Sequence, residues 1–473
     1  MVVLLIAGVG GYFAYKQLTS SSTPANTIIV GMPVPLNSVI GQNMADAGQL
    51  AVSQINAAGG VDVNGTSYSF KIVTYDTQEA DPSIPTSIGI QGVTSLITSS
   101  HANFLIGGYR SDVVLAELST VAQYKTIYIT FGADNGISSF VGGPGTANYT
   151  NGGKYIFNGF VNSTNQGNQY GLLPVFLHEA WLEGKIPTNV TNIAYLGEQA
   201  AWTQVDIGSG GTSCPLAVAY QPFGLNPVYC NYFQLAPSGG SYGPLMTTLA
   251  NDGVQAIYML AAGTETPLLI EDYGNANWGA DTATGGQKPL LMGADVMAEL
   301  NGTTSTNNYF KMTGGAAAGE MTFGWGPTLP VALTPTSLAF YNAFESAYGM
   351  NPMFEAGFVY SSFFYLANAI EQAKSLSADL VIPYLEKTDY QGPMGNVTFS
   401  PSHGLEVPLA PYPTVPAFGM QWHSNGELYA SYSSLWLKPS FPAAAGFQTG
   451  SSVTFENYET PTGVEVGNFT VAL

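Results

Sequence analysis

Short apolar runs alternate along this chain with segments whose apolar residues recur every three or four positions. After residue 26 the strand-like runs fall at Ile28–Val34, Tyr68–Tyr75, Phe104–Ile106, Thr126–Thr130, Asn192–Leu196, Val228–Leu235, Gln255–Leu260 and Pro289–Met292. Helical spacing fills the intervals at about 41–57, 83–99, 111–124, 166–182, 199–207, 242–252 and 264–273. Strands alternating with helices predict parallel sheets covered on both faces. Two such sets follow one another, with a break near Phe157-Asn158-Gly159, and a long helical stretch over about 335–386 precedes a β-rich tail. One sheet rarely takes so many units, so the pattern predicts two doubly wound α/β lobes.

The segment Phe104 to Ala133 is the most informative. An apolar run breaks into Gly107-Gly108, Ser111 opens an amphipathic helix, and a second run ends in Gly132-Ala133-Asp134. Both loops then lie at the same end of adjacent parallel strands, where open α/β sheets bind small ligands. Glycines allow close backbone approach, and free N–H groups at a helix start suit an anion.

Residues 1–18, MVVLLIAGVGGYFAYKQL, are apolar until Lys16, and a Ser/Thr/Pro stretch at 20–24 follows. A secretory signal would carry a base before its apolar stretch, and none precedes Val2. We therefore expect a retained hydrophobic anchor helix over 1–19 and a linker over 20–26, with Tyr and Lys at the membrane interface. The N-terminus also looks like that of a processed type IV pilin, although the acidic residue of many pilins is missing. This leaves self-assembly through the helix open.

Charged residues make up 9% of the chain, and 31 acids stand against 11 bases. An acidic chain without a basic patch argues against a nucleic-acid partner. So few charges limit self-repulsion, which would suit acid surroundings. Cys214 and Cys230 lie in one local segment; they are either a disulfide closing a short loop or two unrelated thiols. Asn-x-Ser/Thr triplets at Asn64, Asn148, Asn162, Asn189, Asn301, Asn396 and Asn468 are glycan acceptors if the chain is secreted. The two Cys and four His show no metal-ligand spacing, and no dinucleotide or phosphate-loop motif occurs. No cofactor is expected.

The order of these pieces resembles the type I periplasmic-binding-protein fold, and within it the branched-chain amino-acid-binding family of ABC importers, in a surface-anchored archaeal form. VGMPVPLNSVIGQ and AGQLAVSQINAAGGV resemble the opening strand and helix, and FLIGGYRS and TFGAD the two ligand loops. NIAYLGEQAAW and LMTTLANDGVQAIYML look like second-lobe units, and YNAFESAYGMNPMFEAGFVYSSFFYLANAIEQA, LEKTDYQGPMGNVTFSP and FGMQWHSNGEL match the C-terminal third. The resemblance implies two lobes joined by three crossovers: lobe 1 over 27–157, lobe 2 over 158–322, a return to lobe 1 over 323–400, and a return to lobe 2 with a β-rich extension over 401–473. It implies a receptor that closes on a small amino-acid-like ligand outside the membrane and hands it to an ABC permease.

Carried over by position, Ser111 matches the serine whose hydroxyl takes the ligand carboxylate; alternatively it is a plain helix cap. Gly132, with Ala133 beside it, falls where backbone groups meet the ligand. Asp134 stands where the family often has threonine, so it holds an ammonium or an amide N–H rather than donating. Asp295 matches the second-lobe acid that pairs with the α-ammonium, against a turn-forming role. From the residues themselves, Glu265 either begins a helix facing the same cleft or is an ordinary acid at a helix N-terminus, Arg110 either clamps a carboxylate or pairs with Asp112 or Glu117, and Trp202 either covers the ligand or packs under the lobe.

Catalysis is the weaker reading. Gly239-Gly240-Ser241-Tyr242-Gly243 matches the hydrolase pattern Gly-x-Ser-x-Gly, but no motif places His101, His178, His403 or His423 as its base. A structural surface or filament subunit that reuses the fold is the alternative, since fold does not fix function.

Overall fold

A computed structural model of the chain describes residues 26–81, 83–163, 173–211, 214–233, 240–279, 288–406, 417–432 and 452–472. The hydrophobic run expected as an anchor lies outside these residues. Among the described residues no helix is long and apolar enough to cross a membrane.

The first sheet holds β1 (Thr27–Val34), β2 (Val61–Val63), β3 (Thr66–Asp76), β4 (Phe104–Gly107), β5 (Ile127–Thr130) and β6 (Ile156–Asn158) in the order β2-β3-β1-β4-β5-β6. All its pairings are parallel except β2 with β3. Period-two alternation splits it cleanly. Ile28, Val30, Met32, Phe104, Ile106, Ile127 and Ile129 face one core, whereas Leu105, Tyr128 and Ile156 face the other. The first core is closed by the helix Val39–Ala57, which the Ser38 hydroxyl caps by accepting from the Gly41 N–H at 3.2 Å. The second is closed by the helices Ser87–Thr98 and Ser111–Tyr124.

The second sheet holds β7 (Asn192–Glu198), β8 (Asn226–Phe233), β9 (Ala256–Ala261), β10 (Leu290–Asp295), β11 (Met321–Trp325), β14 (Ala417–Trp422), β15 (Leu428–Tyr432), β16 (Ser452–Glu459) and β17 (Glu465–Ala472); β12 (Tyr390–Gly392) and β13 (Gly395–Val397) form a separate hairpin. Its order is β17-β16-β15-β14-β11-β10-β9-β7-β8. The half from β8 to β11 is parallel and the half from β14 to β17 is antiparallel, so this lobe is mixed rather than wholly parallel. Antiparallel strands need only a hairpin between neighbours, as between Trp422 and Leu428.

The chain passes between the sheets three times, after Asn158, after Trp325 and after Val397. The long helical stretch is three helices, Ser337–Tyr348, Phe354–Ala373 and Ala378–Leu385. The second of these packs on Val39–Ala57 and so belongs with the first sheet. Cys214, which caps the helix Pro215–Tyr220, is disulfide-bonded to Cys230 of β8. Of the seven sequon asparagines, Asn64, Asn148 and Asn468 are exposed, and the other four are half-buried.

Candidate functional site

Register places the chemistry. Gly107 pairs with Thr130 and Thr130 with Asn158, so β4, β5 and β6 end level with one another; Ala261 of β9 pairs with Asp295 of β10 in the same way. Parallel strands that end together send their loops to one edge. Between the two edges lies a cleft of about 770 Å³, part of it open to solvent, with walls from both lobes. The hydroxyl of Tyr109, in the first lobe, donates across it to the carbonyl of Ala262 in the second.

Its floor is aromatic. Phe160 follows the first crossing, Trp325 ends β11 at the second, and Phe354 opens a helix of the return segment. The ring of Phe160 lies 5.0 Å from Phe354 and 5.8 Å from Trp325, and Trp325 lies 5.5 Å from Phe354. Such pairs contribute about 1 kcal/mol each beyond their burial.

On the first-lobe wall nearly every polar atom is used internally. Gly108 takes φ 75°, and a Cβ there would stand 2.2 Å from the Tyr128 hydroxyl, so only glycine carries the loop around this corner. Glu79 is buried, and its carboxylate accepts from the N–H groups of Tyr109 (3.2 Å) and Arg110 (3.1 Å) and from the Thr77 hydroxyl (2.9 Å). Burial pushes this carboxyl up to about 7, against the pull of those bonds. The Arg110 guanidinium binds both oxygens of Asp112 (2.7 and 2.8 Å) and the carbonyls of Glu79, Asp81 and Ile84. Of its two sequence readings, the structure shows the internal pair with Asp112. All five donors of the guanidinium are thereby committed.

Ser111 is 1% exposed and lines the cleft. Its oxygen accepts from the N–H groups of Ala133 (3.0 Å) and Asp134 (3.2 Å), so the hydroxyl ties the second loop to the first and does not cap its own helix. Both lone pairs are then occupied, and its O–H is the one hydrogen-bonding capacity left to the side chain. The Ala133 carbonyl accepts from Ser163 and the Gly132 carbonyl from Asn158, so the backbone of this loop is also engaged. Asp134 turns away to accept from the Gly136 N–H at 2.6 Å, and neither it nor Gly132 lines the cleft.

On the second-lobe wall, Glu198 at the end of β7 accepts from Trp202 Nε1 (2.5 Å) and from the N–H groups of Ala262 (2.8 Å) and Gly263 (3.0 Å). Trp202 lines the cleft and holds this carboxylate at the same time. Asp295 is buried behind the wall, where it accepts from Thr266 (3.0 Å), Tyr309 (2.7 Å) and the Met297 N–H (2.9 Å). Burial raises it to about 6. Glu265, expected at the cleft, does not line it; both its oxygens are buried and neither is bonded to another residue. Burial, then the charge of Glu198, pushes it up to about 8.

The structure thus brings Arg110, Ser111, Ala133 and Trp202 to the cleft. Glu79, Glu198 and the aromatic floor escaped sequence reasoning, although a signal existed. Glu198 lies two residues beyond the strand-like run Asn192–Leu196, and Phe160 follows the break at Phe157-Asn158-Gly159. Ser241 of the hydrolase-like pentapeptide donates to Asp272 and accepts from the Gly243 N–H, the work of a turn.

With this geometry in view, the comparisons are consistent with one another. Residues 27–412 match the periplasmic binding protein family, so the chain belongs to that family. Among solved structures it is similar to the branched-chain amino acid transporter substrate-binding protein LivJ of Streptococcus pneumoniae in complex with isoleucine. That match has 18% identity, TM-score 0.57, and covers 86% of this chain and 98% of that one. It is similar to an amino acid ABC transporter substrate-binding protein of Pseudomonas fluorescens (14% identity, TM-score 0.61, 90% and 99% covered). A third is a solute-binding protein of an ABC transporter from Rhodopseudomonas palustris in complex with 3,4-dihydroxy benzoic acid (17% identity, TM-score 0.59, 85% and 95% covered).

Proposed function

We propose that the chain is the extracytoplasmic solute-binding protein of an ABC importer, which captures a small amino-acid-like ligand between its lobes and delivers it to a permease. One observation carries this: a cleft walled by both lobes, at the carboxyl ends of their parallel strands, lined by Ser111, whose hydroxyl has a proton left to donate. Beside it the N–H groups of Ser111 and Asp112 open a 14-residue helix, which favours a carboxylate or amide oxygen. The relatives' bound isoleucine and dihydroxybenzoate support a ligand of this size.

Attachment to the outer face of the membrane through residues 1–19 and glycosylation at the exposed Asn64, Asn148 and Asn468 belong to the same proposal. The hydrophobic run and the Cys214–Cys230 disulfide support them. The structural-subunit alternative draws on the N-terminal run and the sequons.

Thermal unfolding of the purified full-length chain against amino acids, amides and small carboxylates tests the proposal. One chemical class should stabilise it by about 2.7 kcal/mol at a hundredfold excess over Kd. Ser111→Ala should weaken that ligand at least tenfold. No shift with any compound, from protein that mass spectrometry shows to be free of copurified ligand, would return the choice to a structural subunit.

A further inference from the structure

Resting on the solute-binding reading, we propose that closing the lobes takes up protons. Closure sets Glu355 of the first lobe among Glu198, Glu265 and Glu299 of the second, around the hydrogen bond from Tyr109 to Ala262. Acid then favours the closed form, and a solute captured in acid is let go as pH rises.

Two hydrogen bonds cross between the lobes here. The Tyr109 hydroxyl donates to the Ala262 carbonyl. The Phe354 N–H, at the head of the helix that packs on Val39–Ala57, donates to Glu299 beyond β10 at 2.8 Å. Carboxyls gather at both. Glu198 accepts from the Ala262 and Gly263 N–H groups, and a Cβ built on Gly263 would stand 2.1 Å from one Glu265 oxygen and 2.5 Å from the other. Glu355 directly follows Phe354; it is 1% exposed, and neither of its oxygens is bonded to another residue. Burial, then the charges of Glu355, Glu198, Glu265 and Glu299 in that order, push the Tyr109 phenol up. Three carboxyls of one lobe thus meet one of the other around a single hydroxyl.

Little positive charge offsets them. Arg110 is the only base among the described residues that line the cleft, and its five N–H groups are committed to Asp112 and to three carbonyls. Asp81 of the first lobe and Asp295 of the second add their charge at Glu265, and Asp295 also at Glu299. Of the elements packed on the helix of Glu355, Val39–Ala57 carries Asp46, β2 carries Asp62 and Ala378–Leu385 carries Asp379, all acids. In the open form the facing surfaces are hydrated and their carboxyls ionise easily. Closure strips that water and sets like charges together, which protonation relieves. Burial pushes Glu265 and Glu355 up to about 8 and raises Glu198 and Glu299 as well. The closed form therefore binds more protons than the open one, and solute affinity falls as pH rises, by up to about tenfold per pH unit for each proton taken up.

Small-angle X-ray scattering of the ligand-free full-length chain at pH 5.5 and pH 8 tests this, with circular dichroism to show that the chain is folded at both. The wild-type radius of gyration should be smaller at pH 5.5. Glu355→Gln, which keeps the shape of the protonated acid, should hold most of that compactness at pH 8. Glu299→Gln, from the other lobe, should do the same and serves if the first variant does not fold. A merely structural role for these residues would leave the dependence on pH intact. Calorimetry with L-isoleucine and benzoate, whose own charges stay nearly constant over this interval, gives a second readout. Whichever binds should bind at least tenfold more weakly at pH 8, and the variants should erase most of that ratio. A radius that does not change with pH, a change that the folded variants leave intact, or an affinity that is flat with pH overturns the inference. None of these touches the solute-binding reading, which stands or falls on the thermal panel, whereas the scattering needs no solute.

Discussion

Asp295 and Glu265 stand at the carboxyl ends of neighbouring strands of the second lobe, yet the fold treats them in opposite ways. Asp295 is buried with three donors around it, from Thr266, Tyr309 and Met297, and burial raises it only to about 6. Glu265 meets no donor from another residue and is pushed up to about 8. A carboxylate surrounded by donors is held by the architecture; one left without them carries the cost of its burial without that offset. Position in the sequence made Asp295 the candidate partner of a ligand ammonium, and in the structure Thr266, Tyr309 and Met297 occupy its carboxylate.

That contrast can be broken most severely at Asp295. Asp295→Ala takes the acceptor from the Thr266 hydroxyl and the Met297 N–H and leaves the Tyr309 hydroxyl only Glu320 at 3.4 Å, and should lower stability by about 3 kcal/mol. Urea denaturation would read this, and a loss below about 1 kcal/mol would show that the network is not structural.

Acidity is the next lever. Asp46 and Asp295 are raised to about 6, Glu79 and Asp206 to about 7, and Glu265 and Glu355 to about 8, all by burial. Between pH 5 and 8 the folded chain therefore binds more protons than the unfolded one, so its stability falls as pH rises. The melting temperature should drop by roughly 5 °C across that interval, and calorimetry at several pH values would show a flat or rising profile if the carboxyls were not held up.

The smallest effect sharpens the comparison best. Glu265→Gln removes a charge that nothing pairs, so at pH 8.5 it should stabilise the unliganded chain by about 1 kcal/mol, and at pH 5, where Glu265 is already protonated, by almost nothing. A pH-independent effect would mean that folding does not raise the Glu265 carboxyl above its unfolded value.

Much of the architecture was legible because it depends on local periodicity. Ser111 at a helix start and the small-residue turn Gly132-Ala133 follow from a strand–loop–helix–strand pattern within 30 residues of chain. The tail of the second lobe was less legible: strand content does not say which way a strand runs, and the antiparallel half from β14 to β17 depends on hairpins and packing partners. Arg110 shows the same limit within the site. Its neighbours in sequence allowed either a ligand clamp or a pair with Asp112, and the carbonyls of Glu79, Asp81 and Ile84 decided the matter by arriving from another loop.

By itself the sequence determined two α/β lobes, loops at the ends of parallel strands and an acidic, base-poor chain, since apolar spacing and composition are properties of the chain alone. Only the tertiary structure decided which polar groups remain free. Glu79 reaches Tyr109 across 30 residues, Thr266 reaches Asp295 across 29, and Phe160, Trp325 and Phe354 meet from three separate segments. Whether a buried donor or acceptor is satisfied depends on neighbours in space, and those exist only once the chain has closed on itself.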